Sequence, residues 1–313
     1  MLPGLALSFF DHPVFGTAAG LGALSALLAT LVGGWRLGIL VSIGLSLATG
    51  AALACADNVA GAALLMFLVA AATGLTARRG YSIGIVPAAI TVAFVLAQPP
   101  VGSHATGGEV FDGAATMVSA GVIAVLIGSW LTRKGPIVLP VPLSWNLTIN
   151  YALVLGVLAG AAAGYVVSQQ TQQSGAWLIM TILVVVQPSM LDGFQKSLER
   201  SVGTLVGVVI ALVIGLISLP TTVVYLIAIA FVMCAVILQA QKKAYWEVLA
   251  FLTPAIVLIV GTRGSITSTA QDRLFATLVG AGAALIVIGI ESLVVAAVGR
   301  PRAGAGDHAR SSR

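Results

Sequence analysis

The sequence predicts an all-α fold, a polytopic transmembrane helical bundle with no soluble domain, from three observations. Hydrophobic residues make up 59% of the 313 residues and charged residues only 8%, and the mean hydropathy is +1.08. No ordinary soluble fold covers that much apolar surface. The apolar runs have the length of about 20 residues that a helix needs to cross a hydrocarbon core of about 30 Å. Basic residues recur in every second gap between these runs.

Cutting the chain at its polar gaps predicts about 11 helical spans. The runs are uniformly apolar, whereas the strands of a membrane barrel would alternate over roughly ten residues. The predicted spans lie near residues 14–33, 37–54, 59–77, 81–98, 112–131, 148–167, 175–190, 201–219, 221–240, 245–261 and 274–297.

The distribution of basic residues predicts the orientation. All but Arg263 and Arg273 of the 15 Lys and Arg residues lie in one set of alternate gaps. Basic residues stay on the cytoplasmic side of a membrane. The N-terminus is therefore predicted outside and the C-terminus in the cytoplasm.

Two matches between the halves predict an internal repeat. ATMVSAGVIAVLIG at 115–128 resembles ATLVGAGAALIVIG at 276–289, and RRGY at 78–81 resembles KKAY at 242–245. Both copies of each match have the same predicted orientation, which indicates parallel repeats related by an axis along the membrane normal. We predict a degenerate five-helix repeat over 1–135, a six-helix repeat over 136–300 and a disordered cytoplasmic tail over 301–313.

The second half carries a recurring pattern, Arg-x-x-(Gly/Ala)-Thr-Leu-Val-Gly, at 200–207 and 273–280. Its small residues permit close approach of a neighbouring helix. With Trp177, VQPS at 186–189, Tyr245 and FLTP at 251–254, the region 148–297 resembles the fusaric acid resistance protein family within the aromatic acid exporter superfamily.

This resemblance implies a helical bundle in the bacterial cytoplasmic membrane that exports aromatic or other organic carboxylates. It also implies two six-helix units that act as a pair. A homo-oligomer is among the partners we consider. The first half departs from the pattern because it has Asp112 where the second half has Arg273.

Arg200 and Arg273 are the first candidates for substrate binding. The predicted spans place each at a helix N-terminus, at opposite membrane faces, where a guanidinium and the positive end of the helix could hold a carboxylate. The alternative is that both are interfacial anchors that extend to lipid headgroups or pair with Glu199 and Asp272.

Gln187-Pro188 and Thr253-Pro254 are further candidates, together with Tyr245 of the family motif. A proline within a span frees a backbone carbonyl, and such breaks in transporters often line a polar cavity. The alternative is a packing kink or a helix end.

Glu247 and Glu291 are candidates for proton coupling, because carboxylates within membrane spans are functional hypotheses by default. Their shallow predicted depth favours interfacial pairing with Lys242, Lys243 or Arg300 instead.

Enzyme motifs are absent from the sequence. It has neither a phosphate-binding loop nor a His-Glu-x-x-His motif, and its three histidines lack metal-ligand spacing. We expect no cofactor and no nucleic acid, and we expect membrane lipids and a small organic anion as partners. The leading hypothesis is an ion-driven exporter. A passive anion channel, and a non-transporting subunit that docks a partner protein through basic loops, are the alternatives.

Overall fold

The structure is a computed structural model that describes residues 13–99, 105–133, 142–169, 172–187, 190–217, 219–241, 243–261 and 266–298. Every regular element in these ranges is a helix, which confirms the predicted all-α class. The helices are α1 (Pro13–Ala54), α2 (Val59–Leu75), a 3₁₀ turn (Thr76–Arg79), α3 (Ser82–Ala97), α4 (Gly107–Leu131), α5 (Trp145–Gln169), α6 (Gln172–Val185), α7 (Met190–Gly215), α8 (Thr221–Ala240), α9 (Tyr245–Gly261) and α10 (Ile266–Val298).

Helix α1 is broken at Gly34, where φ is 77° and ψ is 179°. A side chain at that φ would be strained, and glycine adopts it readily. The break separates an N-terminal arm, α1a, from a C-terminal arm, α1b. It falls between the predicted spans 14–33 and 37–54.

The protein is a multi-pass membrane protein. Among the described residues, five helical stretches have the length and apolar composition to cross a bilayer: Gly20–Ala54, Val59–Arg79, Gly107–Leu131, Trp145–Gln169 and Phe194–Gly215. Many large apolar side chains point outward, including Leu40, Leu47, Leu126 and Leu216. Such an apolar surface suits contact with lipid. The helices also satisfy their own backbone hydrogen bonds, as they must where no water is available.

In the first half, both arms of α1 pack on α4, and α1 also packs on α3. Along α1b and α4 the contacts run in opposite directions, since Gly38 lies against Val125 and Gly121 lies against Ser42. Small residues make these approaches possible.

Helix α5 covers α2 of the first half. The two backbones approach so closely that a methyl group at Gly160 would lie 2.8 Å from the carbonyl oxygen of Ala63. Arg78 Nη1 donates to the carbonyl oxygen of Leu143 at 3.1 Å, and the Leu143 amide donates to Ala77. The chain entering α5 is thus attached to the turn that follows α2.

Helix α6 lies between two groups of helices. It contacts α3 and α5 on one side and α7 and α10 on the other. The main apolar core extends from Ala29 to Val186. Separate apolar clusters join α7, α9 and α10 and join α8 to α9. Packing therefore crosses the predicted domain boundary at 135/136, and that boundary stays a prediction.

Candidate functional site

Arg200 and Arg273 lie inside helices. Arg200 follows ten residues of α7, and Arg273 follows seven residues of α10. Each side chain is only 2% exposed. The expected placement at helix N-termini is wrong, because the spans were cut at the charged residues whereas the helices begin at Met190 and Ile266. The anchor interpretation needs side chains that reach the headgroups, and burial argues against it.

Arg200 is fixed by α6 and α9. Its Nε donates to Thr181 Oγ1 at 3.3 Å, and its Nη1 donates to Tyr245 Oη at 3.1 Å. Its Nη2 is buried and has no hydrogen-bond partner in the described protein. The guanidinium is therefore oriented by two neighbouring helices and keeps one free donor group.

Arg273 stacks on an indole ring. Its Cζ lies 4.2 Å from the centroid of the Trp177 ring, a cation–π contact at close range. Its Nε and Nη1 are buried and have no hydrogen-bond partner among the described residues. Trp177 is held in turn by Phe94 of α3, whose ring meets it edge to face at 84° with centroids 4.8 Å apart.

The two arginines meet at one place in the bundle. Thr181 and Trp177, which contact Arg200 and Arg273 respectively, are four residues apart on α6 and so lie on one face, one turn apart. The two guanidinium groups are close enough for the charge of Arg200 to act on Arg273. The expectation that the arginines lie at opposite membrane faces is wrong. Gly215 near the end of α7 lies against Ile266 at the start of α10, so the two helices enter from opposite ends and their arginines converge inside.

We call this group the arginine centre; its members carry polar groups and are buried, apart from Tyr245, which is partly buried. They are Trp177, Thr181, Arg200, Thr204, Tyr245, Thr253, Arg273 and Thr277. Trp177 Nε1 and the hydroxyls of Thr204 and Thr253 are also buried, and in the part of the chain that the structure describes they have no hydrogen-bond partner. Buried polar groups in proteins are almost always bonded. So many unpartnered donors in one place indicate a site that binds an acceptor.

Helices α6, α7 and α10 each contribute two residues to the arginine centre, and in each helix the two residues are four positions apart. Trp177 is followed by Thr181, Arg200 by Thr204 and Arg273 by Thr277, each four residues later. Residues at that spacing lie on one helix face. Sequence reasoning noted Trp177, Thr204 and Thr277 as parts of a motif but did not place them in the site. The shared spacing was the signal that could have done so.

The small residues of the Arg-x-x-(Gly/Ala)-Thr-Leu-Val-Gly pattern do permit close packing, as predicted. A methyl group at Gly203 would lie 2.6 Å from the carbonyl oxygen of Trp246. One at Gly280 would lie 2.8 Å from Thr181 Cβ. The glycines thus hold α7 on α9 and α10 on α6, which brings the polar side chains together.

The Thr253-Pro254 pair lies inside α9, which continues past the proline. Both residues are buried and pack on α7, where a methyl group at Gly207 would lie 2.6 Å from Thr253 Cβ and 2.8 Å from Pro254 Cδ. Pro254 is therefore a packing residue, and Thr253 contributes its unpartnered hydroxyl to the arginine centre.

Gln187 lies just beyond α6 and bonds to its own helix end. Its Nε2 donates to the carbonyl oxygens of Val184 and Val186 at 2.8 and 3.1 Å, and its Oε1 accepts from Lys196 Nζ at 3.0 Å. Pro188 lies outside the described residues.

The candidate carboxylates do not contact the arginines within the described residues. Glu247 lies in the first turn of α9 and is partly exposed. Glu291 belongs to α10, and its side chain lies outside the description. Glu199 accepts from Gln195 Nε2 at 2.7 Å. No cluster of three metal-ligating residues occurs in the part of the chain that the structure describes.

Comparison with known families matches the part of the chain that builds the arginine centre. Residues 169–287 match the protein-family model described as fusaric acid resistance protein-like. The chain contains a fusaric acid resistance protein-like domain. The match confirms the predicted resemblance and covers α6 to α9 and most of α10. Proteins of this family are membrane transport proteins. No curated protein and no solved structure matches the chain.

Proposed function

We propose that this protein is a secondary transporter that exports aromatic or other organic carboxylates and binds them at the arginine centre. The observation that carries the proposal is the set of buried donors on Trp177, Arg200, Thr204 and Arg273 that find no acceptor within the described ranges of the chain. A carboxylate supplies only acceptors when it is ionised. Its chemistry is therefore complementary to this set.

The energetics support binding of an anion here. An unpaired charge buried in a medium of low dielectric constant is strongly unfavourable, and in proteins such charges are paired or bound to ligands. Neither arginine has a carboxylate partner among the described residues, and the positive charges of Arg200 and Arg273 repel each other. An incoming anion would therefore gain a charge-assisted bond that the apoprotein does not make.

Binding should be measured on the purified chain by thermal shift, with benzoate and short aliphatic carboxylates against uncharged benzamide and benzyl alcohol. We expect the carboxylates to raise the melting temperature and the uncharged analogues not to. Flux of the same acids into liposomes that contain the chain tests transport. Binding without flux would argue against a transporter acting alone and favour the subunit hypothesis.

A passive anion channel is the second candidate, and one observation favours it. The arginine centre contains no carboxylate among the described residues, so it has no evident proton carrier of its own. Glu247 and Glu291 are proposed for that role in the exporter. Flux that responds to an imposed proton gradient in the wild-type chain but not in Glu247→Gln would support coupling. Flux indifferent to the gradient would support the channel.

For the architecture, we propose 11 spans arranged as two parallel pseudo-repeats, following the sequence prediction. Contacts in both halves support the repeat. In the first half, the end of α1b packs antiparallel on the start of α4, with Gly50 against Val110, and in the second half Gly215 of α7 lies against Ile266 of α10. In the proposed repeat, α7 of the second half corresponds to α1b of the first.

For the orientation, we propose an outer N-terminus and a cytoplasmic C-terminus in the bacterial cytoplasmic membrane. Gly108 and Gln241 are exposed at opposite predicted faces. In a chain whose Cys55 and Cys234 are replaced by serine, Gly108→Cys should react with an impermeant thiol reagent on intact cells. Gln241→Cys should react only after the cells are opened. The reverse pattern would invert the proposed topology.

A further inference from the structure

We infer that the arginine centre selects divalent organic anions, such as a phosphonate or a dicarboxylate, over monovalent ones of the same shape. The inference rests on the proposed function and names the charge class of its substrate. It starts from the convergence of Arg200 and Arg273 on neighbouring turns of α6, through Thr181 and Trp177.

The charge of the arginine centre is fixed at two positive units. A guanidinium does not lose its proton in proteins, and both side chains are buried. Tyr245 accepts a hydrogen bond from Arg200, and a neutral phenol does not offset a cation's charge.

The acidic residues that adjoin the arginines in sequence lie elsewhere on the helix surfaces. Successive residues of a helix are rotated by about 100°. Glu199 bonds to Gln195 on the exposed side of α7, and Asp272 is partly exposed. Neither carboxylate forms an ion pair with either guanidinium among the described contacts, so both charges of the arginine centre are available to a ligand.

A monovalent anion would leave one buried cation without a counter-charge, and the two guanidiniums would still repel each other. A divalent anion removes the net charge. The free donors also form two groups, Arg200 Nη2 on one side and Arg273 Nε and Nη1 with Trp177 Nε1 on the other. Their supports on α6 are one turn apart, about 5–6 Å along the axis. The ligand can therefore place negative charge near both groups.

The test compares phenylphosphonate with benzenesulfonate, which share a shape and differ in charge. The phosphonate is divalent above its second ionisation and monovalent below it, whereas the sulfonate is monovalent throughout. Their affinities for the full-length chain should be measured by calorimetry on both sides of that ionisation. We expect phenylphosphonate to bind roughly ten- to a hundredfold more tightly when divalent, the gain of one more charge-assisted bond. The advantage should disappear at the lower pH.

Benzenesulfonate also controls for titration of the protein, because its own charge does not change. Arg200→Gln and Arg273→Gln should each abolish the advantage of the divalent ligand. Arg273→Lys keeps the positive charge, so it should retain most of the preference for the divalent ligand. Arg36→Gln, at an exposed position of the first half, should behave as wild type.

Equal affinity for the two ligands above the second ionisation would overturn the inference and leave the proposed anion transport in place. Absence of binding by both ligands and by benzoate would overturn the inference and the proposed function together. Loss of the advantage in Arg36→Gln as well would show that it does not arise from the arginine centre.

Discussion

In the first half of the bundle, buried hydroxyl groups bond to their own or to neighbouring helices, whereas several buried donors in the arginine centre of the second half have no acceptor among the described residues. Thr30 donates to the carbonyl oxygen of Ala26 at 2.7 Å, and Ser46 donates to Ala114 on α4 at 2.8 Å. Ser25 and Thr91 contact each other across α1a and α3 at 3.2 Å. Thr49 is the one described hydroxyl of the first half that is buried without a partner.

This difference distinguishes polar groups that hold the helices together from polar groups that are free to bind a ligand. In lipid, a hydroxyl that bonds to its own helix has its donor satisfied, and one that bonds across to another helix contributes about 0.6 kcal/mol on average. An unbonded buried donor stabilises nothing in the apoprotein. The first half thus resembles a scaffold, and the second half retains groups whose use is expected to lie in binding.

The largest expected effect is the loss of an arginine. Arg200→Gln should weaken carboxylate binding by about 1.5–3 kcal/mol, or roughly ten- to a hundredfold, because a charge-assisted hydrogen bond is lost. Arg36→Gln, in the first half, removes an exposed guanidinium that stacks on Trp35 and should leave affinity unchanged. Calorimetry or concentration-dependent flux at matched membrane expression provides the measurement.

Arg273→Lys sharpens this comparison. An ammonium keeps the charge but cannot reproduce the planar guanidinium or its stacking on Trp177. We expect carboxylate affinity to fall, although by less than in Arg273→Gln. Wild-type affinity in both variants would remove Arg273 from the binding site.

The next effect concerns the close packing that builds the arginine centre. Gly207→Ala would place a methyl group 2.6 Å from Thr253 Cβ, and overpacking of this kind costs about 1–3 kcal/mol. Gly44→Ala, in the first half, meets no atom within 4 Å and should be neutral. Melting temperatures of the two purified variants can be compared directly. Equal stability would show that the contact between α7 and α9 yields without cost.

Much of this arrangement follows from the sequence, and its central feature does not. The apolar runs predicted where helices lie, and the break at Gly34 falls between two predicted spans. The predicted position of Arg200 and Arg273 at helix ends was wrong. A rule that ends each span at a charged residue cannot recognise a charge that lies inside the bundle. Burial of a guanidinium depends on partners from other helices, here Thr181, Tyr245 and Trp177. Their proximity depends on tertiary packing through small residues that are common throughout this composition.

Two threonine substitutions should have complementary effects, one on ligand affinity alone and the other on stability alone. Thr204→Val replaces an unpartnered buried hydroxyl with a methyl group of similar size, so stability should hold or rise. Ligand affinity should fall, by up to about tenfold if the hydroxyl bonds to the substrate. Thr91→Val removes both the contact with Ser25 and the bond that Thr91 donates to the carbonyl oxygen of Pro87. It should cost about 0.6 kcal/mol or more of stability without changing affinity. A loss of stability in Thr204→Val would indicate that its hydroxyl is already bonded in the apoprotein.

The smallest expected effect tests whether the first half supports the arginine centre across α6. Phe94 of α3 meets Trp177 edge to face, and Trp177 covers Arg273, so the three side chains form a continuous contact between the halves. Phe94→Leu keeps an apolar side chain but removes the aromatic pair, which is worth about 0.5–1.5 kcal/mol. If the indole then tilts away from the guanidinium, carboxylate affinity should fall severalfold and the indole fluorescence should shift, while the melting temperature should fall by a few degrees. The Phe251→Leu variant removes a ring that pairs with Phe231 at 6.0 Å and serves as the matched control. Equal affinities in the two variants would show that the arginine centre is positioned by the second half alone.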